Sequence, residues 1–299
     1  MNAIFLSSGD VIADRRFEWA RGLANKGDLA AAADLLTQVL QLVPRYAGAW
    51  FALGDVREKL GDRDGAVAAF AQAEAADTTD AHGATLRLAR LRGAVTAMPA
   101  GYVRTLFDGY ASKFDAALTQ GLSYRAPELL LRAVQASGER KFADALDLGC
   151  GTGLGGAAFK PFCERLTGVD LSPAMLAQAR AKEIYDRLEE SDVVSFLTAE
   201  TARYDLVLAA DVYMYLDGLH PVVQAVAAVL APGGLTAFSV ETHDGDGVIL
   251  RDTLRYAHGA AHVRAALGAA GLALVSLDSA ATRTEKGVPV PGLIAVARN

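Results

Sequence analysis

The sequence predicts an α/β fold: a seven-stranded, mainly parallel sheet with helices on both faces, preceded by an all-α helical module. Three observations predict it. From about residue 140 onward, short apolar runs alternate with helical patterns, which implies a parallel sheet covered on both sides. A glycine cluster, Gly149-Cys-Gly-Thr-Gly-Leu-Gly-Gly156, follows the first apolar run and opens a helical pattern. The first ninety residues, by contrast, match themselves at a shift of 34.

The repeat comes first along the chain. The shift pairs Gly27 with Gly61, Asp28 with Asp62, Ala32 with Ala66, Leu36 with Phe70 and Val39 with Ala73. A 34-residue period is the signature of the tetratricopeptide helical hairpin. The second copy holds Trp50-x-x-Leu53-Gly54, then Ala66, Phe70 and Ala73. The first keeps Ala32 and Pro44 but has Arg16 where the repeat wants Trp. Each hairpin turns at Gly-Asp, and small alanines let its helices approach closely. About three repeats are usually needed for a stable stack. The helical pattern at 80–92 is therefore expected to act as a cap. A module over residues 1–93 offers a groove for a protein partner or for self-association, or serves only as packing.

Residues 94–138 read as a linker with lid helices. Thr96-Ala-Met-Pro-Ala-Gly101 breaks the pattern. Tyr102 to Asp115 reads as a short aromatic helix interrupted at Gly109. Tyr110 and Phe114 lie four apart, on one helical face. Such a face can shield a cation by cation–π attraction, or it can be an ordinary core contact. A helix follows over 124–134, with Pro127 in its first turn.

The sheet domain is expected over residues 139–299. Its strands are placed near 144–149, 165–170, 183–188, 204–210, 235–240, 272–278 and 290–297. Its helices are placed near 154–162, 173–182, 218–230 and 259–270.

The first strand tip decides the ligand. Gly151-x-Gly153-x-x-Gly156 satisfies the dinucleotide fingerprint, and Asp170, nineteen residues after Gly151, can accept ribose hydroxyls. Asp147, two residues before Gly149, is the discriminating group. A carboxylate there repels a pyrophosphate but suits a ligand with an ammonium and a sulfonium. S-adenosylmethionine (SAM) is such a ligand.

Four segments then carry a resemblance. Asp147-x-Gly149-x-Gly151-x-Gly153, Gly168-Val-Asp170-Leu-Ser-Pro-Ala-Met-Leu176, Tyr204-Asp-Leu-Val-Leu-Ala-Ala-Asp211 and Leu230-Ala-Pro-Gly-Gly-Leu235 resemble, in order and spacing, the motifs of class I SAM-dependent methyltransferases. The match spans roughly residues 140–299. The whole chain resembles a bacterial group of predicted methyltransferases with an N-terminal tetratricopeptide region. The resemblance implies a Rossmann-like domain whose last strands form an antiparallel edge hairpin. It implies Asp147 at the methionine end of SAM, backbone approach at Gly149, Gly151 and Gly153, and Asp170 on the ribose. Leu171 and Met175 are expected on the adenine face, and Asp192, with Val193, at the adenine amino group. Glu189 and Glu190 nearby depart from the usual pattern. Ala209 is expected against the methionine moiety. Arg125 is a candidate partner for the SAM carboxylate. Tyr110 and Phe114 resemble the lid that closes over SAM in small-molecule methyltransferases.

Methyl transfer is an in-line displacement, and SAM carries the activated group. Holding the reactants in line can supply about 7–11 kcal/mol. A general base matters only if the acceptor must lose a proton. His258 is the best base candidate, expected at a helix start beside Arg255 and Tyr256, and it titrates near neutral pH. Asp211 is the second catalytic candidate, from the fourth strand tip. There Asp211-Val-Tyr213 replaces the Asn/Asp-Pro-Pro-Tyr/Phe form of nucleic-acid N-methyltransferases. His243 is a lesser candidate, and His82, His220 and His262 read as helix-surface residues.

Bulk properties narrow the rest. Hydrophobic residues are 52% of 299, ample for packed cores. A net charge of −6 argues against an electrostatic nucleic-acid site. Cys150 and Cys163 are the only cysteines and form no zinc or disulfide pattern, so no metal is expected. A reducing cytoplasm is the natural setting. The N-terminal stretch 1–8 lacks a basic start, and no apolar run approaches the ~18 residues of a membrane span. The expected activity is methyl transfer to an O or N acceptor on a small or carrier-bound molecule. Alternatives are a protein methyltransferase that captures its substrate through the repeats, and a non-catalytic SAM-binding adaptor.

Overall fold

The structure, a computed structural model, describes residues 7–138 and 141–299, with only the backbone at 119 and 120. Residues 1–6 of the N-terminal stretch, and 139–140, where the sheet domain is expected to begin, lie outside the described residues. Contacts divide the chain into two compact units, Met1–Leu106 and Phe107–Asn299. The division falls inside the 94–138 segment.

The first unit is helical. Its elements are α1 (Val11–Asn25), α2 (Leu29–Leu42), α3 (Ala47–Lys59), α4 (Arg63–Ala76) and α5 (Ala84–Arg92). Asp10, Asp28 and Asp62 cap α1, α2 and α4 by accepting backbone N–H groups, which satisfies otherwise orphaned donors. Gly27 and Gly61 turn the two hairpins at φ +86° and +81°. The repeat signature acts through close approach. Ala32 and Ala66 are fully buried, and a Cβ on Gly54 would lie 2.6 Å from the Phe70 ring. Trp50 donates its indole N–H to the Pro44 carbonyl at 2.8 Å. The cap expected at 80–92 is α5, which joins Phe51, Phe70 and Ala73 in one apolar cluster through Leu88 and Leu91. His82, expected on a helix surface, is instead buried and stacked on Phe51 with centroids 5.6 Å apart.

Helix α6 (Ala100–Asp108) carries the chain across the division and ends one residue before Gly109. A 3-10 turn (Ala111–Lys113), the one-turn α7 (Phe114–Ala116) and a π turn (Ala117–Gly121) follow, then α8 (Ala126–Ala136) with Pro127 in its first turn.

The sheet of the second unit contains β1 (Phe142–Leu148), β2 (Cys163–Asp170), β3 (Arg187–Glu190), β4 (Tyr204–Ala209), β5 (Leu230–Glu241), β8 (Ala273–Ser279) and β11 (Gly292–Arg298). Their order is β3-β2-β1-β4-β5-β11-β8. The first five are parallel, and β11 runs antiparallel between β5 and β8. Helices α9 (Leu154–Phe159), α10 (Pro173–Ala181), α11 (Val193–Ala199), α12 (His220–Val229) and α13 (Ala260–Ala269) connect the strands. Alternate residues feed two cores. Leu146, Val207 and Phe238 join one, and Ala145, Leu206 and Ala237 join the other. The strand tips at Asp147–Leu148, Asp170, Ala209 and Glu241 therefore line one edge, as the crevice rule for such sheets requires.

Three local expectations need correction. The third strand covers 187–190, not 183–188, because Glu183 turns at φ +54° and Tyr185 leaves the ladder. Residues 193–199 form a helix, because Asp192 caps it. A small extension, β6 (Val248–Leu250) and β7 (Tyr256–His258), pairs beside β5, so His258 ends a strand and does not open a helix. The chain also forms a two-stranded hairpin, β9 (Thr284–Glu285) and β10 (Val288–Pro289).

Candidate active site

The glycine turn between β1 and α9 is left-handed at three positions, Gly149, Gly151 and Gly153, with φ of +60°, +54° and +93°. Side chains rarely adopt this conformation. Two acids flank the turn. Asp170 accepts the Gly151 N–H and the Ser172 N–H, each at 2.8 Å. Burial pushes its carboxyl above the usual range, while these donors oppose the shift. Asp147 is 1% exposed and accepts the Tyr185 hydroxyl at 2.6 Å. Burial first, opposed by that hydrogen bond, pushes its carboxyl up to about 7. Among the described residues no ion pair reaches either acid.

An aromatic rim stands beside the turn. Phe114 would lie 3.9 Å from a Cβ on Gly151. Its ring meets Tyr110 at 5.9 Å and Phe107 at 6.0 Å between centroids, and Phe107 meets Tyr215 at 5.3 Å. Tyr110 is 41% exposed. Two acids pin this segment. Asp108 accepts the Ser172 hydroxyl at 2.5 Å at the cap of α10. Asp115 pairs with Lys182 at 2.7 Å and accepts the Thr152 hydroxyl.

The other predicted residues are placed unevenly. Leu171 is half-buried at the end of β2, whereas Met175 is fully buried inside α10. Asp192 caps α11 through Oδ1, accepting from Val194 and Ser195 at 3.0 Å, with Val193 buried behind it. Ala209 is buried at the tip of β4. Arg125 is half exposed and lies 3.6 Å from Glu128.

The two catalytic candidates are both internally engaged. Asp211 turns at φ +57° and accepts from Ser239 (2.7 Å), Thr282 (3.0 Å) and Arg283 (2.8 Å). Arg283 also meets Glu241 and Glu285, and Glu241 receives Arg255 at 2.7 Å. His258 is fully buried, with Nε2 3.1 Å from the Tyr213 carbonyl. Burial lowers its imidazole to about 4. A base must reach its substrate, so this placement speaks against His258 in that role. His243 is held locally by Gly245 and Gly247. His262 stacks on His258 at 5.5 Å, partly buried, and His220 is exposed.

Tyr185 and Arg283 were not visible from the sequence. Tyr185 falls inside a stretch that reads as strand, and Arg283 lies in a polar loop seventy-two residues from Asp211. Tyr124, half-buried, is a third such residue: burial, then the Asp211 and Asp147 carboxylates, push its hydroxyl well above the ordinary value.

Comparison with known proteins gives two family matches. Residues 146–236 match the family model described as a methyltransferase domain, and residues 23–91 match a tetratricopeptide repeat. A methyltransferase domain thus follows a tetratricopeptide repeat region along the chain. The chain is 32% identical over 123 residues to a malonyl-[acyl-carrier protein] O-methyltransferase of Enterobacter lignolyticus, covering 41% of this chain and 47% of that one. It is 30% identical over 104 residues to nodulation protein S of Sinorhizobium fredii, covering 32% and 46%. The chain thus spans about half the length of these relatives. The fold matches the 1,6-didemethyltoxoflavin-N1-methyltransferase of Burkholderia thailandensis with a TM-score of 0.54 at 22% identity, over 69% of this chain and 92% of that one. In the methyltransferase domain, then, the glycine turn with its two acids and the arginine-bound acids of β4 and β5 share one sheet edge. No helix among the described residues is long and apolar enough to cross a membrane.

Proposed function

We propose that this chain transfers a methyl group from SAM to an O or N acceptor on a small or carrier-bound molecule. One observation carries the reading: two buried acids, without a cation partner among the described residues, flank a left-handed glycine turn. Buried charges are ordinarily paired, so these await a ligand bearing a cation and hydroxyls. Asp147 takes the ammonium and Asp170 the ribose hydroxyls. Gly149, Gly151 and Gly153 let the backbone approach, with Ala209 across the crevice. Leu171 walls the adenine. Asp192 meets its amino group, since capping engages only Oδ1 among the described contacts. Met175, fully buried, supports that wall from behind. Arg125, half exposed and 3.6 Å from Glu128, is the candidate for the SAM carboxylate.

When bound, SAM supplies the activated methyl. The chain orients it and excludes water. Phe107, Tyr110, Phe114 and Tyr215 form the rim, where ring faces attract a sulfonium. Asp211 is occupied by Arg283, Ser239 and Thr282, so its role is to shape the acceptor wall. The name of the Enterobacter relative supports a carrier-bound acceptor. Calorimetry tests the cofactor: S-adenosylhomocysteine (SAH) binds in the micromolar range and NADH does not. NADH binding without SAH binding ends the reading. Labelled SAM with a panel of small and carrier-bound acceptors tests the transfer; SAH binding with no methylated product in any arm favours the non-catalytic adaptor.

A further inference from the structure

We propose that Tyr185 is a positioning residue, which holds the Asp147 carboxylate in the plane and charge state that receive the cofactor's ammonium. The proposal rests on the SAM reading above. Its support is local. The Tyr185 hydroxyl donates to Asp147 Oδ2 at 2.6 Å. The ring fills a slot that two separate elements leave open. A Cβ on Gly168, in β2, would lie 2.9 Å from the ring, and one on Gly156, in α9, would collide with the hydroxyl. A Cβ on Gly153 would lie 3.1 Å away. The next residue anchors the chain on both sides. Asp186 donates its N–H to the Leu166 carbonyl at 2.9 Å, and its carboxylate accepts from the Leu166 N–H at 2.8 Å and Lys160 at 2.9 Å. These bonds fix the backbone beside Tyr185, and the packing against β2 and α9 fixes its ring.

Among the described hydrogen bonds the Tyr185 hydroxyl is the donor that reaches Asp147, and it is neutral. A carboxylate has about four acceptor sites, so capacity remains for an ammonium. A hydroxyl that donates to a carboxylate favours its ionised form. The Asp147 carboxyl, raised to about 7 by burial, would stand higher still without Tyr185. An ammonium pairs only with the ionised acid, so cofactor affinity falls with acidification below about pH 7, by up to about tenfold per pH unit.

The test measures SAH affinity of the full chain by calorimetry from pH 6 to 8.5. In wild type the affinity levels off above pH 8 and falls below pH 7. Tyr185→Phe keeps the ring and moves the midpoint up by about one pH unit. The loss is about fivefold at pH 7, nears tenfold at pH 6 and narrows toward pH 8.5. A loss of equal size at every pH makes the ring packing alone and overturns the proposal. Should Tyr185→Phe not fold, 3-fluorotyrosine placed at 185 alone donates a stronger hydrogen bond, so the midpoint moves down; an unmoved midpoint overturns the proposal. Asp147→Asn must abolish the pH dependence in both backgrounds. Wild type that binds no SAH at any pH removes the cofactor reading itself, which separates that failure from a failure of Tyr185.

Discussion

At the tips of β1 and β2, Asp147 and Asp170 are buried and held by neutral donors alone: a tyrosine hydroxyl and backbone N–H groups. At the tips of β4 and β5, Asp211 and Glu241 are also buried or nearly so, but arginines hold them. Arg283 bridges the two, and Arg255 and Arg251 close on Glu241. The same sheet edge thus carries two kinds of acid. Those saturated within the protein complete the structure and have no call on a ligand. Those left with spare acceptor capacity and no counter-charge carry a desolvation cost that a ligand can relieve. Perturbed, unpaired groups in a crevice mark function with a physical rationale.

The largest effect should come from breaking the saturated end. Arg283 is 5% exposed and serves Asp211 and Glu241 together. Arg283→Met leaves two acids without their shared cation. Removing one partner of a buried pair costs about 3–5 kcal/mol. Guanidinium unfolding of the variant should show a loss of that order. SAH affinity in the folded fraction should change far less. A variant that keeps its stability but loses SAH binding would reverse the assignment of the two ends.

Acidification separates two buried groups whose effects oppose each other. The His258 imidazole stands at about 4 when folded against 6.5 ordinarily. The unfolded chain takes up that proton first, so the contribution is full above pH 6.5 and is lost as pH falls toward 4. At about 1.4 kcal/mol per pH unit this amounts to about 3 kcal/mol. Asp147 has the opposite sign. Its folded value, about 7, exceeds the ordinary 3.8, so it removes stability as pH rises from 3.8 to 7. The wild-type profile therefore understates both. His258→Gln against wild type, compared at pH 5 and pH 7.5, isolates the histidine. The gap should shrink at pH 5, and a gap of equal size at both pH values would mean the ring is not held neutral by burial.

Much of this fold is legible in local chemistry, and the exceptions share a cause. The repeat at 34 and the alternating elements report helices and parallel strands, because those follow from backbone turns and apolar period. The glycine turn and its two acids report themselves for the same reason. His258 could not be read. Three residues of β7 pair with β6 and β5, and only the distant ladder makes them a strand. Tyr185 and Arg283 also act across 38 and 72 residues. Their roles exist only once β1, β2, β4 and β5 lie side by side. Asp192 is an intermediate case: it reads as the acid for the adenine amino group, yet an acid before Val-Val-Ser-Phe is also a readable helix cap.

Substituting the acids themselves sharpens the contrast. Asp170→Asn keeps one of the two oxygens that accept from Gly151 and Ser172 and removes the charge offered to ribose hydroxyls. Charge-assisted bonds are about twice as strong as neutral ones. SAH affinity should fall at least about tenfold, or about 1.4 kcal/mol. Asp211→Asn should leave it within about twofold, because that carboxylate already has Arg283. Equal losses in the two variants would erase the difference between the ends of the sheet.

The smallest effect concerns the rim, which belongs to neither end. Residues 111–121 consist of single turns of different helix types, and short turns contribute little stability of their own. Tyr110 is 41% exposed, whereas Asp108 and Asp115 tie the segment to Ser172, Thr152 and Lys182. Such a segment can open locally while its two anchors hold the closed state. A ligand under the rings binds the closed state better and shifts the balance toward it. Limited proteolysis across 107–121 should therefore slow a few-fold with saturating SAH, while cleavage elsewhere stays unchanged. Asp115→Asn, which removes the Lys182 pair at 2.7 Å, should raise the rate without ligand and widen the protection by SAH. Equal rates with and without SAH, in both proteins, would make Tyr110 and Phe114 static rim contacts, and the acceptor would need another roof.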